Sequence, residues 1–79
     1  MTIHFEYITS NPKILGGKPI LKGSRISVEL VLEWIANGSN VAEIVEEFPQ
    51  ISAEAVKQAI LYAAAITNST SFFEIELAA

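Results

Sequence analysis

Hydrophobic and polar positions along this chain alternate, then cycle with a helical period, then alternate again. At the N-terminus Ile3, Phe5 and Tyr7 interleave with His4 and Glu6, the period of two expected of a strand. Asn11-Pro12 marks a turn. Lys13-Ile14-Leu15 and Lys18-Pro19-Ile20-Leu21 then flank Gly16-Gly17, which predicts a hairpin with a two-residue loop at positive φ. Pro19 has no N–H to give a ladder, so its strand belongs at a sheet edge, and Gly23 ends it.

From Ser27 the period lengthens. Ser27 reads as the cap of a first helix with Glu29 near its positive end. Val28, Val31, Leu32 and Ile35 share one face at the i, i+3, i+4, i+7 spacing, while Leu30 and Trp34 form a second apolar stripe. Asn37-Gly38 stops this helix. Asn40 with Glu43 three residues on predicts a capping box for a second helix, whose buried stripe is Val41, Ile44, Val45 and Phe48. Pro49 ends it. Ser52 caps a third helix with Val56, Ala59, Ile60 and Ala63 as its stripe. Short amphipathic helices bury their faces only against one another, so a three-helix bundle is expected. The Pro49-Gln50-Ile51 joint suits a helix–turn–helix whose second helix would read DNA.

The third helix has an apolar surplus. Eleven of the fifteen residues from Ser52 to Ile66 are apolar or tyrosine, more than one buried stripe needs. Leu61, Tyr62 and Ala65 are therefore candidates for a dimer contact, with Ala64 and Ile66 beside them; the alternative is that the N-terminal hairpin covers them. After the polar run Thr67 to Ser71, Phe73, Ile75 and Leu77 alternate with Phe72, Glu74 and Glu76. A terminal strand of this kind completes a sheet edge in its own chain, a sister subunit or another protein. Phe72, Phe73, Ile75 and Leu77 are the partner-binding candidates. The predicted organisation is a hairpin-plus-three-helix domain over residues 1–66 and a linker with docking tail over 67–79.

Composition narrows the chemistry. At 79 residues the chain holds one domain, and one this small buries only about 60% of its unfolded surface. Hydrophobic residues nevertheless make up 51%, which favours a homodimer or higher oligomer. There is no Cys, no Asp and a single His, His4. Metal sites draw on clusters of those residues and acid–base catalysis on a histidine or paired carboxylates, so neither enzyme activity, nor a metal, nor a cofactor is expected. No signal-like segment or membrane-length apolar run is found, which predicts a cytoplasmic protein without a membrane partner.

Charge is divided unevenly within a net of −4. Residues 7–28 carry +4, from Lys13, Lys18, Lys22 and Arg25, and residues 29–79 carry −7. GKPILKGS invites comparison with a phosphate-binding P-loop, but Gly and Lys fall in the wrong order for G-x-x-x-x-G-K-[ST]. Cations on a ribbon beside a helical bundle instead suit backbone phosphates. Lys18, Lys22 and Arg25 are the candidate phosphate contacts, and Lys57 and Gln58, taken to project from the third helix, the candidate base contacts. The competing account is a solvated ribbon whose lysines protect an edge strand.

The residues from Asn11 to Tyr62 resemble domain-of-unknown-function family 433. The resemblance rests on Pro12, the Gly-Gly-Lys-Pro run Gly16 to Pro19, the Lys-Gly-Ser-Arg-Ile run Lys22 to Ile26, Gly38-Ser39, Phe48-Pro49 and Tyr62, and spans about residues 7 to 66. It implies a mainly α, homeodomain-like three-helix fold preceded by a short β element. It also implies the antitoxin of a prokaryotic toxin–antitoxin pair, with a PIN-like ribonuclease toxin as partner and its own operator DNA as target. The combined expectation is a helix–turn–helix protein with an N-terminal β-hairpin and a strand-like C-terminal tail. A protein-interaction module that dimerises and binds a partner without DNA is the alternative.

Overall fold

The caps decide where the helices begin. In the computed structural model, which describes residues 2–67 and 74–77, Ser27 holds an extended backbone and its hydroxyl accepts from the Leu30 N–H at 3.0 Å, starting α1 at Val28–Ala36. Gly38 at φ +102° lets the chain turn, with Ser39 N–H donating to Trp34 O and Gly38 N–H to Ile35 O, the paired bonds of a left-handed helix end. Asn40 and Glu43 exchange backbone-to-side-chain bonds at 3.1 and 2.9 Å and open α2, Val41–Glu47. Ser52 caps α3, Ala53–Ile66, through the Ala55 N–H. All three start signals act as the sequence predicts.

The β elements are short. β1 is Thr2–Phe5, β2 Ile8–Thr9, β3 Ile20–Leu21 and β4 Glu74–Leu77. β2 and β3 pair antiparallel, Ile8 opposite Leu21 and Thr9 opposite Ile20. The N-terminal hairpin is thus present, but its strands and loop differ from those expected. Lys13-Ile14-Leu15 is no strand, and Gly16-Gly17 is not a two-residue hairpin loop. Leu15–Gly17 form one 3-10 turn inside the long β2–β3 connection. Local bonds divert this backbone: Asn11 Oδ1 accepts from Lys13 N–H, Asn11 O from Ile14 N–H and Ile14 O from Gly17 N–H. Leu15, Gly16 and Gly17 all have positive φ, at 50°, 66° and 86°, which no strand accommodates. β1 likewise stops at Phe5, and Tyr7 lies in the turn that follows.

β4 pairs with β1 in parallel, Thr2 opposite Glu74 through Phe5 opposite Leu77. Of the three placements open to the tail strand, the chain adopts the one within itself. Phe72 and Phe73 lie outside the described residues.

The core joins all three helices to the ribbon: Phe5, Ile8, Leu21, Val28, Val31, Ile44, Ile51, Ala55, Val56 and Ala59 form one cluster. Each large apolar side chain there contributes roughly 1.5–3 kcal/mol by leaving water. On α3 the buried side runs through Ala55, Val56 and Ala59 to half-buried Tyr62 and Ala63, so the expected stripe is rotated and Ile60 is 39% exposed. The cause is the ribbon packing on this helix: the Tyr62 ring meets buried Phe5 edge-on, centroids 5.4 Å apart. Tyr62 and Ala65 consequently pack against the chain's own core.

Gln58 is drawn in the same way. Expected to project outward, it is half-buried, and its Oε1 accepts from the Tyr7 N–H at 2.8 Å. Gln58→Ala is expected to strand that donor and lower unfolding free energy by about 1–3 kcal/mol. In urea this reads as a lower midpoint with an unchanged slope.

Candidate nucleic-acid interface

Lys22 and Arg25 occupy a turn whose backbone is fixed from both sides. Leu21 N–H donates to Ile26 O at 2.9 Å, and Ser24 N–H donates to Leu21 O at 3.0 Å. The Ser24 hydroxyl donates to Leu21 O at 2.8 Å and accepts from Ile26 N–H at 3.0 Å. Gly23 takes the φ of +80° that so tight a reversal needs. One strand residue further out, Ile20 bridges Ser27. The Lys-Gly-Ser-Arg run is therefore a locked loop that ends β3 and leads into the Ser27 cap of α1.

This loop forms one wall of an open concavity of about 840 Å³. Asn11 and Pro12 line it from the β2–β3 connection, and Phe48 and Gln50 from the joint between α2 and α3. The exposed cations Lys22 and Arg25 thus share a surface depression with the helix–turn–helix joint. Among the described residues no ion pair engages either of them. Phe48 is in turn held by Trp34, stacked at 4.7 Å with ring planes 13° apart.

The other predicted contacts are placed differently. Lys18 Nζ lies 3.1 Å from Glu29 Oε2, with both side chains more than half exposed at 58% and 62%. A pair this wet contributes at most about 1 kcal/mol and breaks easily. Arg25 also lines the shallow groove that holds this pair, so Lys18 adjoins the Lys22–Arg25 surface but with its charge offset. Lys57 is exposed on α3, 3.9 Å from Glu54. Gln58 is committed to Tyr7. The structure therefore brings together Lys22 and Arg25, leaves Lys18 at their edge, holds Lys57 beside Glu54, and commits Gln58 to the backbone beneath the Lys22 turn. Asn11, Phe48 and Gln50 were not singled out by the sequence as interface residues. The Asn-Pro and Phe-Pro-Gln turns that carry them were the available signal.

Among the described residues no three His, Cys, Asp or Glu side chains converge as a metal site, and no helix is long and apolar enough to cross a membrane.

A β-ribbon packed on three short helices, with a helix–turn–helix joint beside a cationic turn, defines a small, mostly helical bundle of the kind the sequence predicts. The chain belongs to the family described as protein of unknown function (DUF433), whose model matches residues 8–63. It is 40% identical over 60 residues to the uncharacterized protein y4eO of Sinorhizobium fredii, a match covering 76% of this chain and 27% of that one. Its fold is similar to the crystal structure of a DUF433 member from Anabaena variabilis, with a TM-score of 0.72 and 23% identity. That match covers 76% of this chain and 59% of the other. The chain thus spans about a quarter of the curated relative and three-fifths of the solved one.

Because Lys22 and Arg25 reach solvent without supporting the core, Lys22→Ser and Arg25→Ser are each expected to change unfolding free energy by less than about 0.5 kcal/mol. A loss beyond about 1 kcal/mol in urea titration would mark the side chain as part of the scaffold.

Proposed function

We propose that this chain is an antitoxin that acts by binding alone, without catalysis or cofactor, gripping its own operator DNA and neutralising a PIN-like ribonuclease. The observation that carries the DNA half is the pairing of Lys22 and Arg25 on a backbone-locked turn beside the α2–α3 joint. Two fixed cations at one depression suit adjacent phosphates, each neutralisation releasing a counterion. Gln50, exposed at the same joint, is a polar group suited to a base edge. Support for the toxin half comes from the Gly-Gly-Lys-Pro and Lys-Gly-Ser-Arg resemblance. The β1–β4 sheet adds to it, because among the described residues it holds two strands, a kind of ribbon to which a partner's strand can add.

A second reading has its own support. α3, the helix expected to read bases, turns Gln58 inward, pairs Lys57 with Glu54 and exposes Ile60 and Leu61. That surface suits a protein better than a major groove, and a partner-binding module with no DNA step would carry it. The two readings separate on salt, since phosphate contacts weaken steeply as salt rises and apolar contacts do not.

A mobility-shift titration with the DNA upstream of the chain's own gene tests the first reading. Binding is expected at low salt, and Lys22→Glu is expected to weaken it about tenfold or more and to flatten the log–log salt dependence by about one. Absence of any shift at low salt would leave the partner module as the function. For the toxin half, truncation after Thr67 is expected to abolish co-purification with the neighbouring gene's product while α1 to α3 remain helical by circular dichroism. An intact complex would remove the tail from that role.

A further inference from the structure

The outward side of α3 is divided along its length. Its first turns expose Glu54 and Lys57; beyond them Ile60, Leu61 and Ala64 face solvent, with Leu61 at 52% exposure. Lys57, Ile60, Leu61 and Ala64 fall at i, i+3, i+4 and i+7, one continuous stripe opposite the buried Ala55, Val56 and Ala59. This stripe belongs to neither the core nor the Lys22–Arg25 depression.

We infer that this stripe is a homodimer face, on which α3 of a second copy lies antiparallel. Three observations select another copy as the occupant. First, the chain is acidic overall at −4, so copies repel wherever their charged surfaces meet; residues 58–73 carry no charged side chain, the longest such run in the sequence. Second, the face is complementary to itself under a two-fold rotation, as an isologous contact must be. With the axis near residue 62, Ile60 and Leu61 of one copy meet Ala64 and its neighbours on the other, and alanine permits close approach.

Third, the same rotation satisfies charge. α3 has no basic residue in its last turn, and its C-terminal carbonyls form the negative end of the helix dipole. The Thr67 hydroxyl donates to two of them, at 2.9 Å to Ala63 O and 3.1 Å to Ala64 O. Lys57 lies ten residues before Thr67, about 15 Å along the axis, so an antiparallel partner brings its Lys57 to that end. Lys57 is held at home only by an exposed Glu54 contact at 3.9 Å, which yields readily. The two copies each place one lysine at the other's carbonyl end. Tyr62 and Ala65, turned toward their own core, take no part.

This inference does not rest on nucleic-acid binding, and its test uses the protein without DNA. Sedimentation equilibrium on the full chain is expected to give twice the chain mass. Leu61→Glu, which introduces a charge at an exposed position, is expected to raise the dimer dissociation constant at least about 100-fold with helicity by circular dichroism unchanged. Lys57→Glu is expected to raise it about tenfold through the carbonyl end, and Glu46→Lys, on the outer side of α2, to leave it unaltered. A wild-type chain monomeric at its highest soluble concentration would overturn the inference. So would a dimer whose mass and dissociation constant are indifferent to Leu61→Glu, since its contact would lie elsewhere.

Discussion

One residue ties the helical body to the cationic turn. The Tyr7 N–H donates to Gln58 Oε1 at 2.8 Å, and the Lys22 N–H donates to Tyr7 O at 2.8 Å. Through these two bonds the middle of α3 fixes the turn between β1 and β2, and that turn fixes the head of the Lys-Gly-Ser-Arg loop. A two-stranded ribbon of two residues per strand has no stability of its own. It holds because Phe5, Ile8 and Leu21 are buried against α3 and because the amide of Gln58 satisfies a donor that would otherwise be desolvated. The direction in which Lys22 and Arg25 point follows from this arrangement. The proposed phosphate surface is thus coupled to folding through Gln58.

The division of charge follows from the same geometry. Glutamates occupy the exposed sides of α1 and α2, and two of them, Glu29 and Glu43, favour the helix starts. Lys18 comes within reach of one of them and is offset. Lys22 and Arg25 enter no ion pair among the described residues, and their loop borders the α2–α3 joint, whose lining residues Phe48 and Gln50 carry no charge. A cationic surface therefore survives on an acidic protein by position, and not by the number of its basic residues.

Local chemistry was the legible part of this fold. Ser27, Asn40, Ser52 and Gly38 act within three or four residues of where they stand, and the structure places each helix end beside them. The rotation of α3 was not legible, because Ile60 and Tyr62 are both compatible with a stripe and only the arrival of Phe5 from the far end of the chain selects Tyr62. Gln58 failed for the same reason: an isolated polar residue on a helix reads as solvated until a strand turn fifty-one residues away presents an N–H to it. The Gly-Gly pair was illegible for the opposite reason. Two glycines between apolar runs fit a hairpin loop, but Asn11 engages the backbone of the following residues in successive turns. The cationic pair was legible by composition, and its neighbours Phe48 and Gln50 were not, since they join it only through tertiary packing.

The rotation of α3 has a consequence for how so small a protein divides its surfaces. A helix that turned both of its apolar stripes inward would need a further layer to receive them, and among the described residues the ribbon is what lies outside the helices. The ribbon covers the side carrying Ala55, Ala59 and Tyr62, and the remaining side is left with Ile60 and Leu61 in water. Polar substitutes at those two positions would cost the fold little, because neither contributes to the core. Their retention as large aliphatic groups beside an uncharged helix end is therefore an expense in solubility without return unless another surface covers them. On the proposed reading, the helix that sequence logic assigns to base reading is thereby given to protein contact, phosphate contact falls to the ribbon, and the α2–α3 joint keeps Gln50 as its polar group.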